Sequence, residues 1–98
     1  MSYAIKFTVK PKKSYAQNLD YLMAEWGVKV TNEFIERVDT VIESIRKDPS
    51  LYSYYNPSKK IRKCVIHSRV ILYYRVKGKT IEILRFWNTA QHPDKLRL

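Results

Sequence analysis

What is scarce in this chain excludes several classes of protein at once. Among its 98 residues there is one cysteine and there are two histidines. Cys64 has no second thiol for an internal disulfide, and with two histidines, His67 and His92, far apart from each other it makes no ligand cluster, so neither a metal nor a cofactor is expected. A buried strand thiol is the natural reading of Cys64. No apolar run approaches the roughly 20 residues that span a bilayer. The first residues also lack the basic-then-apolar order of a signal peptide, so the expectation is a cytoplasmic chain with no membrane partner. With only two glycines, Gly27 and Gly78, and no low-complexity segment or internal repeat, residues 1–98 read as one folded domain.

Acidic residues are scarce as well, and unevenly so. Residues 1–49 hold eight Lys/Arg against seven Asp/Glu, whereas residues 50–98 hold eleven against two. The second half therefore supplies +9 of the net +10. Such an imbalance calls for a polyanionic partner, either nucleic acid or an acidic protein segment.

Periodicity orders the chain. Residues 3–9, YAIKFTV, alternate as a strand that Pro11 stops. From Lys12 the spacing becomes helical, with Tyr15, Leu19, Leu22, Met23 and Trp26 on one face, and Gly27 breaks the helix. A second helix carries Val30, Phe34, Val38, Val41 and Ile45 inward, with Glu33/Arg37 and Glu43/Lys47 as outward pairs, and Pro49 ends it. The short link predicts an antiparallel helical hairpin. SLYSYYNPS, residues 50–58, reads as an ordered loop. Three strands follow, Ile61 to Ile66, Val70 to Val76 and Thr80 to Trp87, joined by turns at His67-Ser68-Arg69 and Lys77-Gly78. The order β-α-α-β-β-β predicts an α+β domain, an antiparallel sheet packed against the hairpin.

Alternation sends Val70, Leu72, Tyr74 and Val76 toward the helices and Ile71, Tyr73, Arg75 and Lys77 to the other face. In the last strand Ile81 and Ile83 share a face with Arg85 and Trp87, while Leu84 and Phe86 lie opposite. Both faces are then apolar. An open face carrying Ile71, Tyr73, Ile83 and Trp87 is expected to be covered by another chain. Arg62 and Lys63, where the first of the three strands begins, are expected to face solvent and contribute little to stability.

These residues carry a pattern. The element order, the hairpin KKIRKCVIHSRVILYYRV and above all IEILRFWNTAQHPDKL resemble the RelE/ParE superfamily of bacterial toxins from type II toxin–antitoxin systems, and are most similar to its ParE-like branch, often described as plasmid stabilisation proteins. The resemblance implies a growth-inhibiting toxin neutralised by a small acidic antitoxin that wraps the sheet and helices. It also implies one of two targets. RelE-like members cut mRNA on the ribosome, and ParE-like members poison DNA gyrase without being nucleases.

RNA cleavage needs a base for the ribose 2′-OH, cations for the phosphate charge and an acid for the leaving oxygen. Arg62 stands where RelE-like toxins place a basic residue, but Cys64 and Ile71 occupy two further such positions, and no tyrosine follows Tyr74. These departures point to the ParE-like branch and to action by binding. The rivals are an mRNA interferase with His67, His92, Arg62 and Arg69 as its candidate catalytic groups, and a non-toxic basic RNA-binding module. For contact with target or antitoxin the candidates are Arg62, Lys63, Arg69, Ile71, Tyr73, Arg85, Trp87, Asn88, Gln91 and His92. The end of the last strand can equally be a cap, with Asn88 and Thr89 satisfying strand-end carbonyls and Leu96 anchoring the tail.

Overall fold

The structure, a computed structural model, describes residues 2–90, 96 and 98. Its elements are β1 (Ala4–Phe7), α1 (Val9–Lys47), β2 (Tyr54–Asn56), β3 (Ile61–His67), β4 (Val70–Lys77) and β5 (Thr80–Asn88). The strands form one five-stranded sheet in the order β1-β5-β4-β3-β2, with α1 packed on one face. This is the expected α+β architecture with two differences. The sheet is mixed, because β1 lies parallel to β5 while the other neighbours are antiparallel. Tight turns force antiparallel pairing on β3, β4 and β5, whereas the long excursion through α1 leaves β1 free to pair in parallel. The second difference is β2, formed within the expected loop, where Tyr54 pairs with Arg62 and Asn56 with Ile61.

The two expected helices are the arms of α1. Gly27 interrupts it with φ 84° and ψ −172°, a left-handed departure that a side chain would resist. Tyr15 of the first arm stacks on Phe34 of the second at 5.9 Å between ring centres, so the arms fold back as a hairpin. In the second arm Phe34, Val38, Val41 and Ile45 are buried as the spacing predicts. The first arm is rotated from its predicted stripe. Its buried line is Pro11, Ser14, Asn18 and Leu22, while Met23 and Trp26 are half exposed at 48% and 54%. Hydrogen bonding explains the rotation. Ser14 Oγ accepts the Phe86 N–H at 3.1 Å, and Asn18 Nδ2 donates to the Phe86 carbonyl at 3.0 Å. β1 stops at Phe7, opposite Ile83, so these side chains serve the edge of β5 beyond it. Of the outward pairs, Arg46 bonds Glu43 three residues away, while Arg37 turns toward the Tyr52 hydroxyl.

A bulge in β5 resolves the two-faced last strand. Tyr73 lies opposite Arg85 and Tyr74 opposite Ile83, so Leu84 is an extra residue without a partner of its own. Alternation slips by one there. Ile81, Ile83 and Phe86 all join the helix-side core, with Val70, Leu72, Tyr74, Cys64 and Ile66. Ile83, expected on the open face, is 2% exposed inside that core. The opposite, outer face gathers a second cluster of Ile61, Tyr73 and Trp87, against which Ile71, Leu84, Leu96 and Leu98 pack.

Candidate functional site

The outer face is built from alternate residues of the three long strands. Tyr73 at its centre lies opposite Lys63 on β3 and Arg85 on β5, and Ile71 lies between Val65 and Trp87. The Tyr55 ring meets Tyr73 edge-on at 4.8 Å between centres. The Arg85 guanidinium carbon stands 6.0 Å from the Trp87 ring centre, at the outer limit of a cation–π contact. Its Nε is buried with no hydrogen-bond partner among the described residues. Leu96 and Leu98 roof the aromatic floor in part, and Lys59 Nζ donates to the Leu98 carbonyl oxygen at 2.9 Å. Tyr73 and Trp87, expected to be open, are therefore mostly buried, with Ile71 half-buried beside them. The chain's own tail does part of what the sequence assigns to another chain.

Below this floor Glu82 accepts from Arg75 Nε at 2.7 Å, with Lys6 Nζ at 3.9 Å. The Arg75 hydrogen bond holds the Glu82 carboxyl below its usual range against the opposing effect of burial. Tyr73 moves the other way, since burial raises its hydroxyl and Tyr55 adds to the effect. A protonated phenol, arginines and lysines can hold anions.

The remaining candidates sit elsewhere. Arg62 is not a solvated side chain. Its Nη1 donates to the Tyr52 carbonyl at 2.6 Å and its guanidinium lies 3.9 Å from the centre of the Tyr54 ring, fastening β2 to β3. His67 lies opposite Val70, with its ring 6.4 Å from that of Trp26 on α1, and thus toward the helix side. Arg69 occupies the β3–β4 turn, where its carbonyl accepts from Thr89 N at 2.8 Å and from Thr89 Oγ1 at 3.2 Å. Asn88 is buried and its Oδ1 accepts from Ala90 N at 2.9 Å. The strand end is thus capped, chiefly by Thr89. Gln91 and His92 lie outside the described residues. Cys64 is buried, and burial raises its thiol, as suits a packed side chain.

The family model for the ParE toxin of the type II toxin–antitoxin system parDE matches residues 5–93. The chain belongs to the ParE toxin family. No curated protein matches it. The ParE-family fold recurs in solved structures. A chromosomal ParDE system from P. aeruginosa is similar with a TM-score of 0.72 at 17% identity, over 89% of this chain and 96% of that one. A YoeB/ParE toxin from Agrobacterium tumefaciens gives 0.64 at 12%, over 87% and 96%. A YoeB-YefM complex from Staphylococcus aureus gives 0.56 at 13%, over 89% and 97%. At such identities the likeness is one of fold.

Three features of this ParE-family chain escape sequence reading. Ser14 and Asn18 interrupt an apolar stripe four residues apart, and that interruption is the available signal for their bonds to β5. Glu82 is the one acid of β5, set between Lys6 and Arg75 only by strand pairing. Nothing local marks the bulge at Leu84, because its alternation is broken only relative to β4.

Proposed function

We propose that this toxin acts by binding, in the ParE manner, through the outer face of its sheet, with DNA gyrase as the candidate target. A small acidic antitoxin would occupy the same face and the helical hairpin. The observation that carries this reading is the separation of groups. Lys63, Tyr73, Arg85 and Trp87 are brought together on one face, while His67, the histidine among the described residues, points to the other. An interferase would need its acid and base beside the phosphate-holding cations. Cations around an aromatic floor suit acidic and apolar side chains of a partner. The relative described as a YoeB-YefM complex supports a partnered life for the fold.

The test is induction of the chain with and without the neighbouring small open reading frame. The expected outcome is growth arrest with DNA breaks when it is induced alone, relieved on co-expression, and a stoichiometric complex on purification. Growth unaffected in both cases, with no complex formed, would leave the non-toxic binding module as the better reading.

A further inference from the structure

The end of the molecule where β1 and β5 begin and α1 stops takes no part in the face described above. Two concavities meet there. One, of about 270 Å³, is lined in part by Tyr3, Tyr54, Lys60 and Arg62. The other, of about 290 Å³, is lined by Ser2, Tyr3, Lys47 and Lys79. Tyr3 is a wall of both.

The charges of this end are unbalanced. Among the described residues Lys47, Lys60 and Lys79 form no ion pair. Asp48, the carboxylate of the lining, is engaged locally, its Oδ1 accepting from Ser50 N at 3.1 Å and Ser50 Oγ at 2.7 Å. A helix C-terminus favours cations, which accounts for Lys47. It does not account for Lys60 and Lys79, which come from other elements.

Lys60 carries a second mark. Among the described residues it is the non-glycine residue with a positive φ, 57°. It closes a tight turn with its N–H on the Pro57 carbonyl at 3.1 Å. Glycine would hold that turn with less strain. A strained lysine lining a cavity is a reason to look for a ligand there.

We propose that this end of the sheet binds the phosphates of a single-stranded nucleic acid. Lys47, Lys60 and Lys79 contact successive phosphate oxygens, while the Tyr3 ring and the exposed part of the Tyr54 ring, on which Arg62 is already seated, offer stacking surfaces to the bases. Two small basins that share an aromatic wall, each rimmed by two cations, match a ligand in which charges and flat rings alternate. An acidic peptide has the charges without the rings. The site goes beyond the toxin reading, because it is separate from the outer face and needs no antitoxin or gyrase.

Anisotropy of end-labelled oligothymidylate and oligouridylate, each about a dozen nucleotides long, tests this on the purified full chain. Both strands should bind, with log K falling as log salt rises, and any preference between them assigns the sugar. The K47Q/K79Q double variant should lower the magnitude of that slope by about 1.4, roughly 0.7 for each single-strand phosphate no longer neutralised. Lys60→Gly should weaken binding about tenfold at low salt while leaving the melting temperature unchanged or higher. Lys29→Gln, near the Gly27 break, should bind as the parent does. Equal binding and slope in all variants would overturn the proposal, as would no binding at low salt. So would tighter binding of oligoglutamate to the same lysines, which would assign the basins to an acidic peptide.

Discussion

On the helix side of the sheet Leu72, Tyr74, Ile81 and Phe86 are sealed between strand and helix, with Tyr15 and Phe34 stacked over them. On the outer side Ile61, Tyr73 and Trp87 form a smaller cluster, ringed by Lys63, Arg75 and Arg85 and covered in part by Leu96 and Leu98. The same strands build both. The first surface is thick, apolar and made once, at folding. The second is thin and cationic, covered among the described residues by Leu96 and Leu98 and tied by a lysine-to-carbonyl bond. On the proposed function, stability and recognition fall to opposite faces, and the bulge at Leu84 gives β5 side chains on both.

Substitutions on the two faces should differ in size. Leu72→Ala removes a fully buried side chain from the helix-side core and should cost about 2 to 5 kcal/mol by denaturant unfolding. Full stability in that variant would mean that the faces are inverted. Asn18→Ala removes the donor serving the buried Phe86 carbonyl and should cost about 1 to 3 kcal/mol. A cost below a few tenths would show that water replaces the bond.

Leu96→Ala with Leu98→Ala should be the mildest packing change, about 1 kcal/mol or less, because both side chains are only partly buried, at the margin of the smaller cluster. It should nonetheless alter partner affinity, since it uncovers Tyr73 and Trp87. A loss as large as that of Leu72→Ala would make the tail part of the core and break the contrast between the faces.

The smallest effect is electrostatic. Glu82 has a folded-state pKa held below its ordinary value of 4.5, chiefly by Arg75. A depressed carboxylate contributes stability above the unfolded value and loses it as pH falls through the folded one. Glu82→Gln should therefore flatten the acid limb of stability below about pH 4.5 and leave any change above it independent of pH. An acid limb as steep as the parent's would place the sensitive carboxylate elsewhere.

Much of this contrast is legible in the sequence. Apolar spacing locates the second arm of α1 and the three long strands to within a residue or so. Alternation orients β4 correctly, with Leu72 and Tyr74 inward. IEILRFWNTAQHPDKL points to the family. The rest depends on partners distant in the chain. Parallel pairing of β1 leaves no local trace. The bulge exists only as a mismatch between β4 and β5, so alternation alone puts Ile83 on the wrong face. Arg62 reads as a solvated cation until folding brings the Tyr52 carbonyl and the Tyr54 ring to it. Leu96 is legible as an anchor of the tail, but that it anchors over Tyr73 and Trp87 is not.

The most direct test of action by binding without chemistry is a map of mRNA 5′ ends taken within minutes of inducing the wild-type chain. A surface of cations around a buried, protonated Tyr73, with His67 turned to the helix side, predicts no new ends on translated messages while growth arrests. Codon-spaced cuts that vanish in His67→Gln or His92→Gln would contradict it and establish an mRNA interferase.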